Sequence, residues 1–204
     1  MSAPFPAQHF ERNPFATSRV RPGTIAFHFP DGQSPSALLE HLRQNHWMGE
    51  IIGPHGSGKS TLLHSFTPWI TRAGRNVKAF TLHRGESQLS ASVAEMNQWH
   101  DTTQCVIDGF EQLSASSQTR IKRICREQGC GLLLTSHEPT GLPTLYQTNT
   151  SVELVQSIVR SMQQDGEQRV NDADVAMSFQ RQRGNVREVF FELYDIFEQR
   201  RPPG

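Results

Sequence analysis

The run Gly53-Pro54-His55-Gly56-Ser57-Gly58-Lys59-Ser60-Thr61 satisfies the spacing G-x-x-x-x-G-K-[ST] without a mismatch. Polyphosphate chemistry needs these residue types. A Gly-rich turn lets a nest of backbone N–H groups approach phosphate oxygens at the start of a helix, where the peptide dipoles also favour negative charge. Lys59 supplies a point charge for the β- and γ-phosphate oxygens, and Ser60 offers a hydroxyl to Mg²⁺. The spacing therefore predicts a site for ATP with Mg²⁺, formed by Gly53 through Thr61, including Pro54, His55, Gly56, Ser57 and Gly58.

A second chemical pole lies further along. Cys105-Val106-Ile107 reads as a short buried strand ending in Asp108, and the end of a parallel strand is where an α/β sheet places ligand chemistry. Asp108 and Ser60 are thus the candidate metal ligands. Gly131 to His137 reads as another apolar strand ending in polar groups, with Ser136 and His137 both candidates to face a nucleotide.

The elements that must position these groups alternate. Glu50-Ile51-Ile52 leads into the phosphate loop and Thr61-Leu62-Leu63 leaves it, as a strand-loop-helix unit requires. The spacing predicts a helix over Ser60 to Ala73, stopped by Gly74 and kinked or broken at Pro68. A strand over Val77 to Leu82 follows, then a loop and a weakly amphipathic helix through Leu89, Val93, Met96 and Trp99. Ser117 to Gln128 reads as a helix, Glu138 to Pro143 as a turn, and Tyr146 to Thr150 as an extended piece. Upstream, Ser34-Pro35 caps a helix whose apolar face is Leu38, Leu39 and Leu42. The alternation implies a three-layer α/β fold with a parallel sheet.

Residues 1–33 are broken by proline and rich in aromatics, and read as an arm wrapped on the core. Ile25 to Phe29 within it is a candidate edge strand, and Phe27 and Phe29 read either as packing groups or as a cover for a purine ring. The core spans 34–150. After it, helical patterns over Ser151 to Gln164, Asp172 to Gln180 and Asn185 to Arg201 follow without a strand between them, so 151–204 reads as a small helical domain.

Composition narrows the class. The 204 residues carry 20 Lys+Arg and 20 Asp+Glu, so net charge gives no indication of nucleic acid. Three cysteines without a C-x-x-C pair suit free thiols in a reducing compartment. No long apolar run or leader-like segment occurs, which predicts a cytoplasmic protein without a membrane span. Nine histidines form no zinc-binding pattern.

From Glu50 to Arg201 the layout resembles a compact AAA+ ATPase, in which a phosphate loop, an acidic strand end, a polar sensor and a helical lid containing G-N-x-R-E follow in that order. Gly184-Asn185-Val186-Arg187-Glu188 matches the last motif. Thr135-Ser136-His137 resembles the sensor stretch of replication-initiator and loader ATPases, and Asn13-Pro14-Phe15 is similar to a tripeptide of secretion and transposition ATPases. The resemblance implies that Arg187 senses the γ-phosphate from the lid, against a plain reading as an exposed arginine paired with Glu188. It also exposes two departures. Gly109 stands where many relatives place the catalytic glutamate, leaving Glu111 as the nearest substitute or as a surface residue of a turn. No arginine lies between Glu138 and Gln147, so a trans-acting finger would have to come from Arg120, Arg123 or Arg126.

These readings imply an ATPase that turns over slowly or on activation and switches an unidentified protein partner, with a nucleotide-dependent homo-oligomer as one way to work. A small-molecule kinase and a non-hydrolysing nucleotide-dependent module remain the alternatives.

Overall fold

A computed structural model describes residues 13–30, 32–164 and 166–202. The chain forms two compact units: Ile25–Asn149, and a second combining the segment ahead of Ile25 with Thr150–Gly204.

The first unit is built on a five-stranded sheet in the order β2-β3-β4-β1-β5, every pair parallel. Its strands are β1 (Met48–Ile52), β2 (Asn76–Thr81), β3 (Thr103–Asp108), β4 (Gly131–Ser136) and β5 (Thr144–Gln147). The apolar runs of β3 and β4 fit interior positions because parallel strands are covered on both faces. Alternation then sorts their side chains. Cys105, Ile107, Leu132 and Leu134 join one core, with Trp99, Phe110 and Ile121, while Val106 and Leu133 join the other, with Leu42, Leu62 and Phe66. β2 sits at one edge and β5 at the other.

Helices α2 (Pro35–Gln44) and α3 (Lys59–Arg72) bury their apolar stripes in the second of these cores, and α5 (Ala115–Glu127) in the first. Ser34 caps α2 through the Ala37 N–H, with Pro35 at the first helical position. α3 passes Pro68 without a break. Pro68 and His64 both face solvent, where water can serve the His64 carbonyl that has lost its donor. Gly74, at φ 86°, closes the helix in a Schellman arrangement, with Gly74 N–H donating to Thr71 and Arg75 N–H to Ile70.

One expected element is absent and another is shorter than its pattern suggested. Ile25 to Phe29 forms no edge strand; the Phe27 N–H donates to the Ser65 hydroxyl of α3, and the rings of Phe27, Phe29 and Tyr146 pack edge to face. The helix expected from Leu89 to Trp99 shrinks to α4 (Val93–Met96), closed by a Ser92–Glu95 capping box. Met96 and Trp99 are buried while Val93 is 52 % exposed, so the periodicity was shared between a loop and one helical turn.

The second unit holds α1 (Thr17–Val20), α6 (Val152–Met162), α7 (Asp172–Arg181) and α8 (Val186–Gln199). The segment read as an arm on the core is divided. Asn13 to Thr24 belong to this helical unit, where Phe15 is fully buried against Phe190 and Phe197 of α8, and residues 1–12 of the expected arm lie outside the described residues. The Asn13 amide fixes the contact by donating to the Tyr194 carbonyl and to Glu198, while its oxygen accepts from the Phe15 N–H. Among the described residues no helix is long and apolar enough to cross a membrane.

Candidate nucleotide site

The loop from Gly53 to Gly58 joins β1 to α3 at the edge of the sheet where β3 and β4 also end. Gly53, Gly56 and Gly58 adopt φ of 152°, 69° and 92°, in the region that favours glycine. At Gly53 even the space is taken: an added Cβ would lie 2.2 Å from Thr148 Oγ1. α3 has no side-chain N-cap and no acidic residue in its first turn, so its N-terminal amides and dipole are not answered by its own side chains.

Lys59 opens α3 and is only 8 % exposed. Its ammonium donates to the carbonyls of Gly53 at 2.7 Å and Pro54 at 2.8 Å, and meets His137 Nδ1 at 3.2 Å. Burial pushes its pKa below the ordinary lysine value, with Glu111 and Asp108 pulling the other way.

Ser60, one residue on, donates to Asp108 Oδ1 at 3.0 Å. The same oxygen accepts from Thr135 Oγ1 at 2.7 Å, and Thr135 in turn accepts from the Gly109 N–H at 2.8 Å. The hydroxyl of Ser60 and the carboxylate of Asp108 are hard oxygen donors of the kind Mg²⁺ takes, with water and phosphate oxygens completing its shell. No group of three or more His, Cys, Asp or Glu suited to a metal occurs among the described residues. Open amides, a buried lysine and this hydroxyl–carboxylate pair together fit a magnesium-bound polyphosphate.

The sensor stretch separates its residues by strand alternation. Thr135 reaches Asp108, Ser136 is buried and contributes its carbonyl to the Gly53 N–H, and His137 brings its ring beside Lys59. His137 Nε2 lies 2.9 Å from Glu111 Oε1, and the His55 ring packs on it with centroids 3.6 Å apart. Glu111 sits in the 3-10 turn Phe110–Gln112 that follows Gly109. Gly109, at φ 84°, has room for no side chain, since a Cβ would meet the Leu82 carbonyl oxygen at 2.8 Å.

Two contacts were not anticipated, Thr135 with Asp108 and Ser57 with Thr148. Thr135 reads in sequence as the last residue of an apolar strand, and its place two residues before His137 was the available signal. The buried hydroxyls of Ser57 and Thr148 pair across 91 positions of sequence, which no local pattern reveals. Thr61 follows Ser60 in the first turn of α3, partly buried. Arg187 lies exposed in the first turn of α8, in the helical unit. On α5, Arg120, Arg123 and Arg126 are exposed, and Arg123 approaches Glu127 at 3.8 Å.

An all-parallel sheet of this order, with a phosphate loop after β1 and helices following the sheet, resembles the α/β fold of AAA+ P-loop ATPases. Solved structures bear the likeness out. Two single-site variants of Thermotoga maritima RuvB match with TM-scores of 0.52 and 0.53 at 18% and 17% identity, over 79% and 78% of this chain and 58% of theirs. A replication initiator DnaA bound to AMPPCP and single-stranded DNA matches with a TM-score of 0.54 at 13% identity, over 85% of this chain and 63% of its own. The chain thus spans about three fifths of the length of these structures. No protein-family model matches the sequence, and no curated protein is significantly similar to it.

Proposed function

We propose that this chain is an ATP-binding ATPase of AAA+ type that hydrolyses ATP slowly or on activation and uses its nucleotide state to switch a protein partner. The observation that carries the reading is the convergence of a buried Lys59 with the Ser60–Asp108 pair behind an uncapped helix start. Lys59 and the loop amides bind the phosphates. Ser60 and Asp108 hold Mg²⁺, which when bound neutralises charge on the phosphate oxygens. Thr135 keeps Asp108 oriented by its hydrogen bond, and Glu111 with His137 supplies the acid–base chemistry.

Arg187 is assigned the task of coupling the nucleotide to the helical unit. A finger from Arg120, Arg123 or Arg126 of a second copy would make turnover depend on assembly, and a lone chain without one would hydrolyse slowly. The same proposal places the protein in the cytoplasm, where Cys105, Cys125 and Cys130 stay reduced.

ATP affinity and turnover of the wild-type protein and of Lys59→Ala test the reading. A large loss of affinity in the variant is expected; equal affinity in the two overturns it. Sizing with and without ATP then reads the assembly. A species that grows only with ATP supports the trans-acting mechanism, and an unchanged monomer removes it.

A further inference from the structure

The site holds an imidazole whose partners on both nitrogens are specified. We infer that His137 Nδ1 is the atom that takes the proton from the attacking water, and that Glu111 acts through His137 as a positioning residue. The inference rests on the ATPase reading above and names the base within it.

Gly109 closes the usual route. A carboxylate directly after Asp108 would need a Cβ 2.8 Å from the Leu82 carbonyl oxygen and a left-handed backbone, so no side chain can act from that position. Glu111 is the carboxylate that follows, and its Oε1 is taken up by His137 Nε2 at 2.9 Å.

The tautomer follows from the hydrogen-bond partners. Lys59 is a donor only, so its 3.2 Å contact with His137 Nδ1 is a hydrogen bond only if Nδ1 carries no proton, and Glu111 Oε1 at 2.9 Å from Nε2 calls for the proton there. Nδ1 must then present a lone pair, and Nε2 carries the proton that Glu111 accepts. The opposite tautomer would point the Nε2 lone pair at a carboxylate and bring an N–H against the ammonium. An imidazolium would set two positive charges 3.2 Å apart. Nδ1 also lies 3.3 Å from Gly53 O, the contact an Nδ1–H would use in the other tautomer, but that tautomer leaves Nε2 without a proton for Glu111 at 2.9 Å.

A carboxylate that fixes one imidazole nitrogen as a donor leaves the other as a base, the logic of a hydrolase triad. When Lys59 turns to phosphate, Nδ1 loses its donor and becomes free to accept. The water oxygen bonds to the terminal phosphorus as the bridging P–O bond breaks, and the electron pair of that bond leaves with ADP. The water proton passes to Nδ1, and Glu111 stabilises the imidazolium through Nε2–H. The proton then leaves with phosphate or to solvent. The His55 ring against one face of the imidazole limits its rotation.

The test has two arms on the full chain. In the nucleotide-free protein, long-range ¹H–¹⁵N correlation of the histidines reads the tautomer of His137 directly; Nε2–H is expected, and Nδ1–H overturns the inference. In the second arm, ATP binding and single-turnover rates are compared for wild type, His137→Asn, Glu111→Gln and the double variant, each with a thermal midpoint close to wild type. His137→Asn should keep ATP affinity within about threefold and lose turnover by about a hundredfold or more. Glu111→Gln should lose at least about tenfold alone and nothing further in the His137→Asn background, because it acts through the ring. Full turnover in His137→Asn, or a second loss in the double variant, assigns the base to Glu111 itself and overturns the inference. Wild-type protein that binds ATP through Lys59 yet never hydrolyses it overturns the inference while leaving nucleotide binding in place, whereas affinity indifferent to Lys59 brings down the parent reading.

Discussion

Ser57 Oγ and Thr148 Oγ1 lie 2.5 Å apart in the interior, tying the phosphate loop to the residue that follows β5. With Ser57 donating to the Pro54 carbonyl, the single Thr148 proton serves Ser57 Oγ or, at 3.2 Å, the Ile52 carbonyl, and Thr148 also crowds Gly53. Thr148→Val keeps the shape and removes the hydroxyl. Ser57 retains its bond to the Pro54 carbonyl, which limits the loss. Urea unfolding should show a cost of about 1–2 kcal/mol, and ATP affinity should fall because the loop amides lose their support. Unchanged affinity would show that the loop does not depend on this pair.

Gly109 gives a prediction opposite to the one family resemblance suggests. Restoring a glutamate there, as Gly109→Glu, should not accelerate hydrolysis. The substitution forces a Cβ into the Leu82 carbonyl and a non-glycine residue into a left-handed backbone, costing about 1–2 kcal/mol for the backbone alone. A turn that shifts to relieve this also moves Glu111. Lower thermal stability with turnover at or below wild type is expected, and a faster enzyme would refute the account of this turn.

The contrast marks what a single sequence makes legible. The phosphate loop is local: its nine residues carry their own geometry, and Lys59 and Ser60 stand where the spacing put them. Asp108 and His137 were legible because strand ends on a parallel sheet converge on one edge. The bond from Thr135 to Asp108 was not, since the stretch Thr135-Ser136-His137 does not tell which of its residues turns to the neighbouring strand end. The Ser57–Thr148 and Asn13–Glu198 contacts join residues 91 and 185 positions apart, and nothing near either partner in sequence announces the other. The residues from Leu89 to Trp99 misled because a core can be reached from a loop as well as from a helix. Ile25 to Phe29 misled because its backbone is held by a side chain, Ser65, rather than by a neighbouring strand.

Asn13-Pro14-Phe15 carries the next prediction. Phe15 is fully buried between Phe190 and Phe197, so Phe15→Ala should destabilise the helical unit by about 3–5 kcal/mol. Asn13→Ala loses three hydrogen bonds at the same place and should cost less, about 1–3 kcal/mol. Limited proteolysis should show early cleavage around α8 in Phe15→Ala. Wild-type resistance would mean that this segment decorates the unit without holding it.

Asp174 and Arg200 make the stability of that unit depend on pH. The Asp174 side chain is 6 % exposed and accepts from both terminal nitrogens of Arg200, at 2.6 and 2.8 Å, and from the Asn171 N–H at 2.9 Å. The Arg200 hydrogen bonds hold its pKa below the ordinary value of 3.8, against the effect of burial. A carboxyl depressed on folding contributes stability that is present above its unfolded pKa and lost as pH falls through the folded one. Arg200→Met should therefore lower stability at neutral pH, by about 1–2 kcal/mol because the arginine is itself partly exposed and screened. The gap between variant and wild type should hold from pH 7 down to about 4 and then close, as a protonated Asp174 gains little from the guanidinium. Thermal midpoints of both proteins between pH 7 and 3 read this out, and a gap that stays constant below pH 4 would assign the loss to the packing of the Arg200 stem instead of to its charge.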